Sequence, residues 1–195
     1  MRSGALKIAA LAALATLTLS GCASSDGLAD QYRSGDNKNY IAGDGTVTEF
    51  DKGDRGAAVE WSGALADGSQ LSSANLSGVV TVLNFWYAGC APCRAEAPDL
   101  VAIAKLYPKV QFVGVNVRDA AGTAQAFERK FGINWPSILD AGSGSVVLAF
   151  TGIVTPQAVP TTLVIDREGK VAARVLGRIE ASTLKALIKR VVDEG

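Results

Sequence analysis

The 195-residue sequence has no histidine, only three cysteines and a single methionine, Met1. Without histidine the chain cannot use an imidazole base, and it cannot bind a metal through histidine. Basic and acidic residues number 19 each, so the formal net charge is 0, and the lysines and arginines form no cluster along the chain. This balance argues against nucleic acid as a partner. We expect an enzyme that works without a metal or another cofactor.

The N-terminus has the composition of an export signal. Arg2 and Lys7 precede an apolar stretch over Ile8–Leu19, which is shorter than the about 20 residues of a membrane-spanning helix. The stretch ends in Leu19-Ser20-Gly21-Cys22, which is similar to a bacterial lipobox. We therefore expect cleavage before Cys22 and lipid on its sulfur, with an ordinary signal peptide as the alternative.

Three regions follow from this interpretation. Residues 1–21 form the signal, residues 22–57 form a polar tether that begins at the lipidated cysteine, and residues 58–195 form one globular domain. Removing residues 1–21 from the 195 leaves 174 residues, a length that suits one domain plus a tether. We expect a monomer attached to the outer face of the cell membrane.

Periodicity predicts an α/β domain with helices on both faces of a mixed sheet. An N-terminal hairpin over residues 59–71 precedes elements in the order β-α-β-α-β-β-α. A short strand at 46–50 is predicted within the tether, outside this domain. The predicted strands are 79–87, 110–117, 161–165 and 171–175, and the predicted helices are 92–107, 121–131, 145–150 (short) and 181–192.

If Cys22 carries lipid, the remaining cysteines are Cys90 and Cys93. A single C-x-x-C pair closes too small a loop to serve as a disulfide scaffold, and two thiolates alone are too few ligands for zinc. A redox-active dithiol remains. Pro92 favours a helix that starts at this point, so Cys90 lies at a helix N-terminus, where its thiolate is stabilised. We predict that Cys90 is the attacking thiol and that Cys93 is the more buried, resolving thiol.

The stretch VVTVLNFWYAGCAPCRAEAPDL, together with Val159-Pro160-Thr161, resembles the TlpA/ResA-like family of membrane-anchored, thioredoxin-like thiol–disulfide oxidoreductases. The resemblance covers residues 58–192. It implies a thioredoxin fold with an N-terminal β-hairpin and a central insertion, for which residues 119–150 are the candidate.

The resemblance also implies roles for individual residues. Pro160 would form a cis peptide bond facing the dithiol, and Val159 would offer main-chain hydrogen bonds to a substrate strand; the alternative is a proline that starts a strand. Glu96 would relay the proton of the resolving thiol, unless it is a solvated surface residue. Asn84 stands where thioredoxin has a buried acid, or it only satisfies main-chain groups.

Other residues near the motif have less specific expectations. Trp86 contacts substrate or fills the core beneath the dithiol helix, and Pro98 should kink that helix. One residue departs from the family pattern, because Gly89 stands where tryptophan usually precedes the first cysteine. The departure leaves the dithiol chemistry intact and affects the choice of substrate.

The predicted function is disulfide reduction on a client protein, with electrons from a membrane thiol–disulfide donor. By resemblance the client is apocytochrome c, during cytochrome c maturation. The same dithiol could instead act as an oxidase that forms disulfides in secreted proteins. A metal chaperone, a thiol peroxidase and a non-catalytic binding lipoprotein fit the sequence less well.

Overall fold

The computed structural model describes residues 46–154 and 158–195. The predicted signal, Cys22 and most of the predicted tether lie outside these residues. Within the described part of the chain, no helix combines the length and the apolar character needed to cross a membrane.

The secondary structure follows the predicted order closely. The strands are β1 (Val47–Glu49), β2 (Ser62–Ala64), β3 (Gln70–Ser72), β4 (Thr81–Trp86), β5 (Gln111–Asn116), β6 (Ser137–Leu139), β7 (Thr161–Ile165) and β8 (Val171–Leu176). The α-helices are α1 (Ala91–Leu106), α2 (Ala121–Phe131), α3 (Ser145–Ala149) and α4 (Ala181–Asp193), and a 3₁₀ turn covers Ser73–Leu76. Sequence analysis missed β6 and the 3₁₀ turn, which are short and, unlike the equally short β2 and β3, are not part of a hairpin.

Six strands form one mixed sheet in the order β1-β8-β7-β4-β5-β6. The central strand β4 is parallel to β5 and antiparallel to β7, and β5 is parallel to β6. All six residues of β4 are buried, as its continuously apolar sequence predicts for a strand covered on both faces. The range 119–150, predicted to hold the insertion, contains α2, β6 and α3.

Helices cover both faces of the sheet. Val82 of β4 packs with Leu100 and Ile103 of α1 and with the apolar face of α4. The neighbouring Leu83 points the opposite way and belongs to the cluster that contains α3, since side chains alternate along a strand. A third cluster lies at the carboxyl end of β4 and contains the two cysteines. The predicted α/β thioredoxin-like fold is confirmed.

The predicted N-terminal hairpin is also present. Strands β2 and β3 pair antiparallel with each other and form a separate two-stranded sheet. Trp61, which immediately precedes β2, is buried and packs in the same cluster as α3. The hairpin thus covers the face of the main sheet opposite α1.

The predicted domain boundary at residue 58 lies too late in the chain. Strand β1 pairs with β8 at the edge of the main sheet. The side chain of Arg55 is only 1% exposed and donates a hydrogen bond to Asp166 at 2.9 Å. Residues 46–57 therefore belong to the folded domain. Their polar composition hid this, because the strand pairs through its main chain and the arginine is buried against carboxylates.

Candidate active site: the Cys90–Cys93 disulfide

The two cysteines lie where β4 passes into α1. Cys90 is the N-cap residue of α1, and its Sγ accepts a hydrogen bond from the N–H of Cys93 at 3.2 Å. The two sulfurs form a disulfide with an S–S distance of 2.06 Å. In the reduced protein, the free N–H groups of the first helical turn would stabilise a thiolate on Cys90.

The expected difference in burial between the cysteines is not present in this oxidised state. Cys90 is 0% exposed and Cys93 is 2% exposed. Both pack in the cluster at the end of β4, so an apolar environment encloses the disulfide on both sides. What distinguishes the two sulfurs is position, because only Cys90 occupies the N-cap.

The segment before β7 lies against the disulfide. The Val159–Pro160 peptide bond is cis, as predicted. The carbonyl oxygen of Val159 lies 3.9 Å from Sγ of Cys90, and Val159 is 2% exposed. The carbonyl oxygen of Pro160 accepts a hydrogen bond from the N–H of Gly177 at 2.8 Å, which ties this segment to the loop before α4.

Glu96 lies on the buried face of the dithiol helix α1, so its interpretation as a solvated surface residue is wrong. Its side chain is fully enclosed at 0% exposure. One carboxylate oxygen accepts a hydrogen bond from Nδ2 of Asn84 at 2.9 Å, and the other accepts from the N–H of Ile179 at 3.0 Å. Nδ2 of Asn84 also donates to Oγ1 of Thr162 at 3.0 Å, so within the described residues this amide group binds two side chains.

Burial raises the pKa of Glu96 from the ordinary 4.5 to about 7. The hydrogen bonds from Ile179 and Asn84, and the positive charge of Arg178, act in the opposite direction but do not offset the loss of hydration. Glu96 lies three residues after Cys93 and thus on the same face of α1. A carboxyl group that titrates near neutral pH can both accept and return a proton there.

Trp86 is a core residue. It is 3% exposed, and its ring stacks on Phe127 of α2 with 4.4 Å between ring centroids. Pro92 lies in the first turn of α1, and Pro98 lies inside the same helix, which continues to Leu106.

Gly89 is not left without an aromatic neighbour. A Cβ atom at this position would lie 3.3 Å from Cε2 of Tyr87, so the tyrosine ring already occupies the space beside it. The guanidinium of Arg118 lies 4.3 Å from the centroid of that ring. Tyr87 thus supplies an aromatic side chain beside Gly89, in the same packed cluster as Cys90.

Sequence reasoning missed two charged residues that contact the loop before Cys90. Asp119 accepts a hydrogen bond from the N–H of Ala88 at 2.6 Å, and Arg94 donates to the carbonyl oxygen of Ala88 at 3.1 Å. The only signal for Arg94 was its place in the motif. Asp119 is 31 residues from Ala88 in sequence, and no local pattern relates the two.

A surface cavity of the domain lies away from this site. It has a volume of about 620 Å³ and opens between the β2–β3 hairpin and the β7–β8 turn. Its wall includes Thr81, at the start of β4, whereas the dithiol follows the end of that strand. The cavity is therefore separate from the dithiol chemistry.

The fold and the C-x-x-C disulfide together define a thiol–disulfide oxidoreductase of the thioredoxin-like class. The sequence profile of the family described as Redoxin matches residues 51–188, and the chain belongs to that family. The match begins before residue 58 and includes Arg55.

Known proteins share this class. The chain is 29% identical over 130 residues to the thiol–disulfide oxidoreductase ResA of Bacillus thuringiensis (strain Al Hakam), covering 64% of this chain and 70% of that protein. The structure of a secreted thiol–disulfide isomerase from Corynebacterium glutamicum is similar with a TM-score of 0.70 and 29% identity, covering 79% of this chain and 96% of that one. A DsbF homologue from Corynebacterium diphtheriae gives a TM-score of 0.65 and 32% identity, covering 77% and 96%.

Proposed function

We propose that this protein is a disulfide reductase that acts on protein clients outside the cytoplasm. The observation that carries the proposal is the arrangement of one thiol at the N-cap of α1 with a buried carboxyl group, Glu96, on the same helix face as the other thiol. The first feature makes a nucleophile, and the second provides a proton acceptor for the resolving step.

The reaction would proceed in two exchanges. The Cys90 thiolate attacks one sulfur of the client disulfide, a mixed disulfide forms, and the other client sulfur leaves as a thiolate. Cys93 then gives its proton to the Glu96 carboxylate and attacks Sγ of Cys90. The client's second sulfur leaves as a thiolate, and the protein becomes the disulfide seen here. One client thiolate takes the proton held by Glu96 and the other takes a proton from solvent, which received one when Cys90 ionised, so the client gains two electrons and two protons.

Val159 is the proposed docking point for the client main chain. Its carbonyl oxygen lies 3.9 Å from Sγ of Cys90 and faces the sulfur that would carry the mixed disulfide. A client strand paired with Val159 and Pro160 would be held in line with the dithiol. By resemblance, the proposed client is apocytochrome c, whose haem-binding cysteines must be reduced, and a membrane thiol–disulfide protein would supply the electrons.

Mixed-disulfide trapping tests the order of attack. We expect the Cys93→Ser variant, made in a Cys22→Ser background, to accumulate a covalent complex with a disulfide-containing client, because Cys90 attacks and no thiol resolves it. The matched Cys90→Ser variant should accumulate none. Complexes trapped on Cys93 instead would overturn the assignment of Cys90. If the Cys90→Ser variant has the same phenotype as the unsubstituted protein, a non-catalytic binding protein would be supported instead.

The reduction potential tests the direction of electron flow. The full chain, with Cys22→Ser, is equilibrated with glutathione or dithiothreitol buffers and the Cys90–Cys93 disulfide is quantified. A potential near about −270 mV, as in thioredoxin, supports a reductase. A potential near about −120 mV, as in strong disulfide donors, would overturn the reductase assignment in favour of an oxidase.

We further propose that the protein is attached to the outer face of the cell membrane through lipid on Cys22. The lipobox-like Leu19-Ser20-Gly21-Cys22 supports this. The Corynebacterium glutamicum relative is described as secreted, which supports an extracytoplasmic location for the domain. Attachment through lipid would keep the dithiol close to a membrane electron donor.

A further inference from the structure

The residue two positions before Cys90 has both of its main-chain polar groups bound by charged side chains. The N–H of Ala88 donates to Oδ2 of Asp119 at 2.6 Å, and its carbonyl oxygen accepts from Arg94 at 3.1 Å. The N–H of Cys90 donates to the carbonyl oxygen of Tyr87 at 3.2 Å, so the loop is also tied across Ala88. We call Asp119, Arg94 and the Ala88 peptide groups the Ala88 clamp.

The acidic side of the clamp is held by the end of β5. Asn116 is 0% exposed, and its Nδ2 donates to Oδ2 of Asp119 at 2.8 Å. Oδ1 of Asn116 accepts from the N–H groups of Asp119 and Arg118, at 2.7 Å and 3.1 Å. These hydrogen bonds orient the Asp119 carboxylate, and through it the Ala88 loop is bound to the end of β5.

The basic side of the clamp belongs to the dithiol helix itself. The N–H of Arg94 donates to the carbonyl oxygen of Cys90 at 3.1 Å in the first turn of α1. Its guanidinium lies 5.4 Å from the ring centroid of Phe131 and 6.0 Å from that of Phe127, both on α2. These contacts orient the cation towards Ala88, and the helix and the loop before it are thereby joined.

We propose that Asp119 and Arg94 are positioning residues that act on Cys90 through Ala88. Together they hold the sulfur at the helix N-cap, and their opposite charges change the stability of its thiolate in opposite directions. The inference rests on the proposed role of Cys90 as the attacking thiol. It applies to either direction of electron flow, because reduction and oxidation pass through the same thiolate.

Other charged groups near the dithiol stay unchanged in the test. They include Glu96 and Asp99 on α1, Arg118 beside Asp119, and Arg178 in the loop before α4. The residues of α2 and of the segment before β7 that pack in the cluster with the dithiol, which include Ala124, Phe127 and Val159, are also unchanged in the variants. A shift in thiol reactivity in the variants can therefore be assigned to the clamp.

The test compares Asp119→Asn with Arg94→Gln in the reduced full chain carrying Cys22→Ser. Both substitutions remove a charge, yet asparagine keeps an acceptor for Ala88 and glutamine keeps a donor. Alkylation of Cys90 by iodoacetamide is followed against pH by mass spectrometry. At pH values below the thiol pKa we expect about threefold faster alkylation for Asp119→Asn and about threefold slower alkylation for Arg94→Gln, since thiolate is the reactive form.

The reduction potential provides a second readout. A more stable thiolate favours the reduced form, so Asp119→Asn should raise the potential and Arg94→Gln should lower it. A threefold change in the equilibrium constant against glutathione corresponds to about 15 mV. The matched control is Asp193→Asn, an exposed carboxylate near the end of α4 that pairs with Lys189, and it should shift neither readout.

Positioning is tested separately from charge by Asp119→Ala, which loses the acceptor as well. At a pH where Cys90 is fully ionised in all variants, Asp119→Ala should reduce oxidised glutathione more slowly than Asp119→Asn. Equal rates would overturn the positioning role. The proposed effect of charge would be overturned if Asp119→Asn and Arg94→Gln shift the alkylation rate and the reduction potential in the same direction, or do not shift them. This holds even if either variant is less stable.

The two proposals can fail independently. If Cys93 rather than Cys90 is alkylated at low pH in the unsubstituted protein, the proposed order of attack is wrong. If Cys90 is alkylated first and the variants behave as Asp193→Asn does, only the clamp inference fails.

Discussion

At the scale of single residues, the feature with the largest consequence is the burial of Glu96. Two donors, Nδ2 of Asn84 and the N–H of Ile179, face its carboxylate and favour ionisation. Complete enclosure favours the neutral acid and prevails, so the pKa lies at about 7. The residue can therefore change its charge under the conditions in which the dithiol works.

This burial predicts a pH-dependent stability. The pKa of Glu96 is higher in the folded than in the unfolded chain, so the folded protein binds the proton more tightly. Protonation of Glu96 therefore stabilises the fold, and this stabilisation is complete below about pH 4.5. The contribution is lost as the pH rises through about 7, a difference of about 3 kcal/mol. Urea unfolding of the oxidised protein between pH 5 and 8 should show this decline, and Glu96→Gln should remove it.

A matched control for that experiment is Glu60→Gln, which alters an exposed carboxyl group before the hairpin. We expect it to leave the pH dependence as it is in the unsubstituted protein. If Glu96→Gln retains the full decline, the carboxyl group is not the one that titrates in this range.

The packing of Tyr87 against Gly89 predicts coupling between these two positions. A Cβ at residue 89 would lie 3.3 Å from the tyrosine ring, so Gly89→Trp should force a rearrangement that costs about 1–3 kcal/mol. In the Tyr87→Ala background the indole has room, and the cost should fall by about 1 kcal/mol or more. Denaturant unfolding of the four proteins of this cycle measures the coupling, and additive effects would contradict it.

At the scale of secondary-structure elements, the N-terminal segment of the domain depends on an ion-pair network. Arg55 donates to Asp166 in the β7–β8 turn and to Glu194 after α4, with a side chain only 1% exposed. Burial lowers the pKa of the Arg55 guanidinium, but the two carboxylates raise it more. Three distant parts of the chain thus meet at one buried cation.

We expect Arg55→Met to destabilise the domain by about 3 kcal/mol, because it leaves the buried Asp166 without its cation. The control is Lys109→Met, which removes an exposed cation from the loop before β5 and should change stability by less than about 0.5 kcal/mol. Thermal or urea unfolding of the oxidised proteins provides the measurement. A chain that starts at residue 58 lacks both β1 and Arg55, and we expect it to be less stable than the Arg55→Met variant. If it were as stable as the unsubstituted protein, the revised boundary would be contradicted.

At the scale of the whole molecule, the site combines segments that are far apart in sequence. The sulfur of Cys90 comes from the β4–α1 junction, the carbonyl oxygen of Val159 from the segment before β7, and the donor Ile179 from the loop before α4. The order of the sheet brings these segments together, because β7 is the neighbour of β4.

The proposed attachment through Cys22 predicts where this assembly is found in the cell. The unsubstituted protein should sediment with membranes and carry the added mass of acyl chains, and Cys22→Ser should lose both properties. Cys93→Ser serves as the control, since it alters a cysteine of the folded domain and should remain membrane-bound. Recovery of unsubstituted protein in the soluble fraction without an acyl mass would contradict the proposal.

Much of the fold could be predicted from the sequence because its elements are strongly patterned. The continuous apolar run of β4 and the i, i+3, i+4, i+7 spacing of Leu184, Leu187, Ile188 and Val191 in α4 predict their elements locally. The start of the domain was predicted too late although a strand was expected at 46–50, because the pairing of β1 with β8 could not be predicted. The two strands are far apart in sequence, and no local pattern relates them.

The sequence by itself determined the redox chemistry: two cysteines at C-x-x-C spacing, a proline that starts a helix there, and no histidine to support another mechanism. Only the tertiary structure decided the environment of that dithiol. Burial of Glu96, its bonds to Asn84 and Ile179, and the contact of Asp119 with Ala88 all join residues from separate elements. Hydration and charge depend on which surfaces meet in space, and local sequence does not encode that.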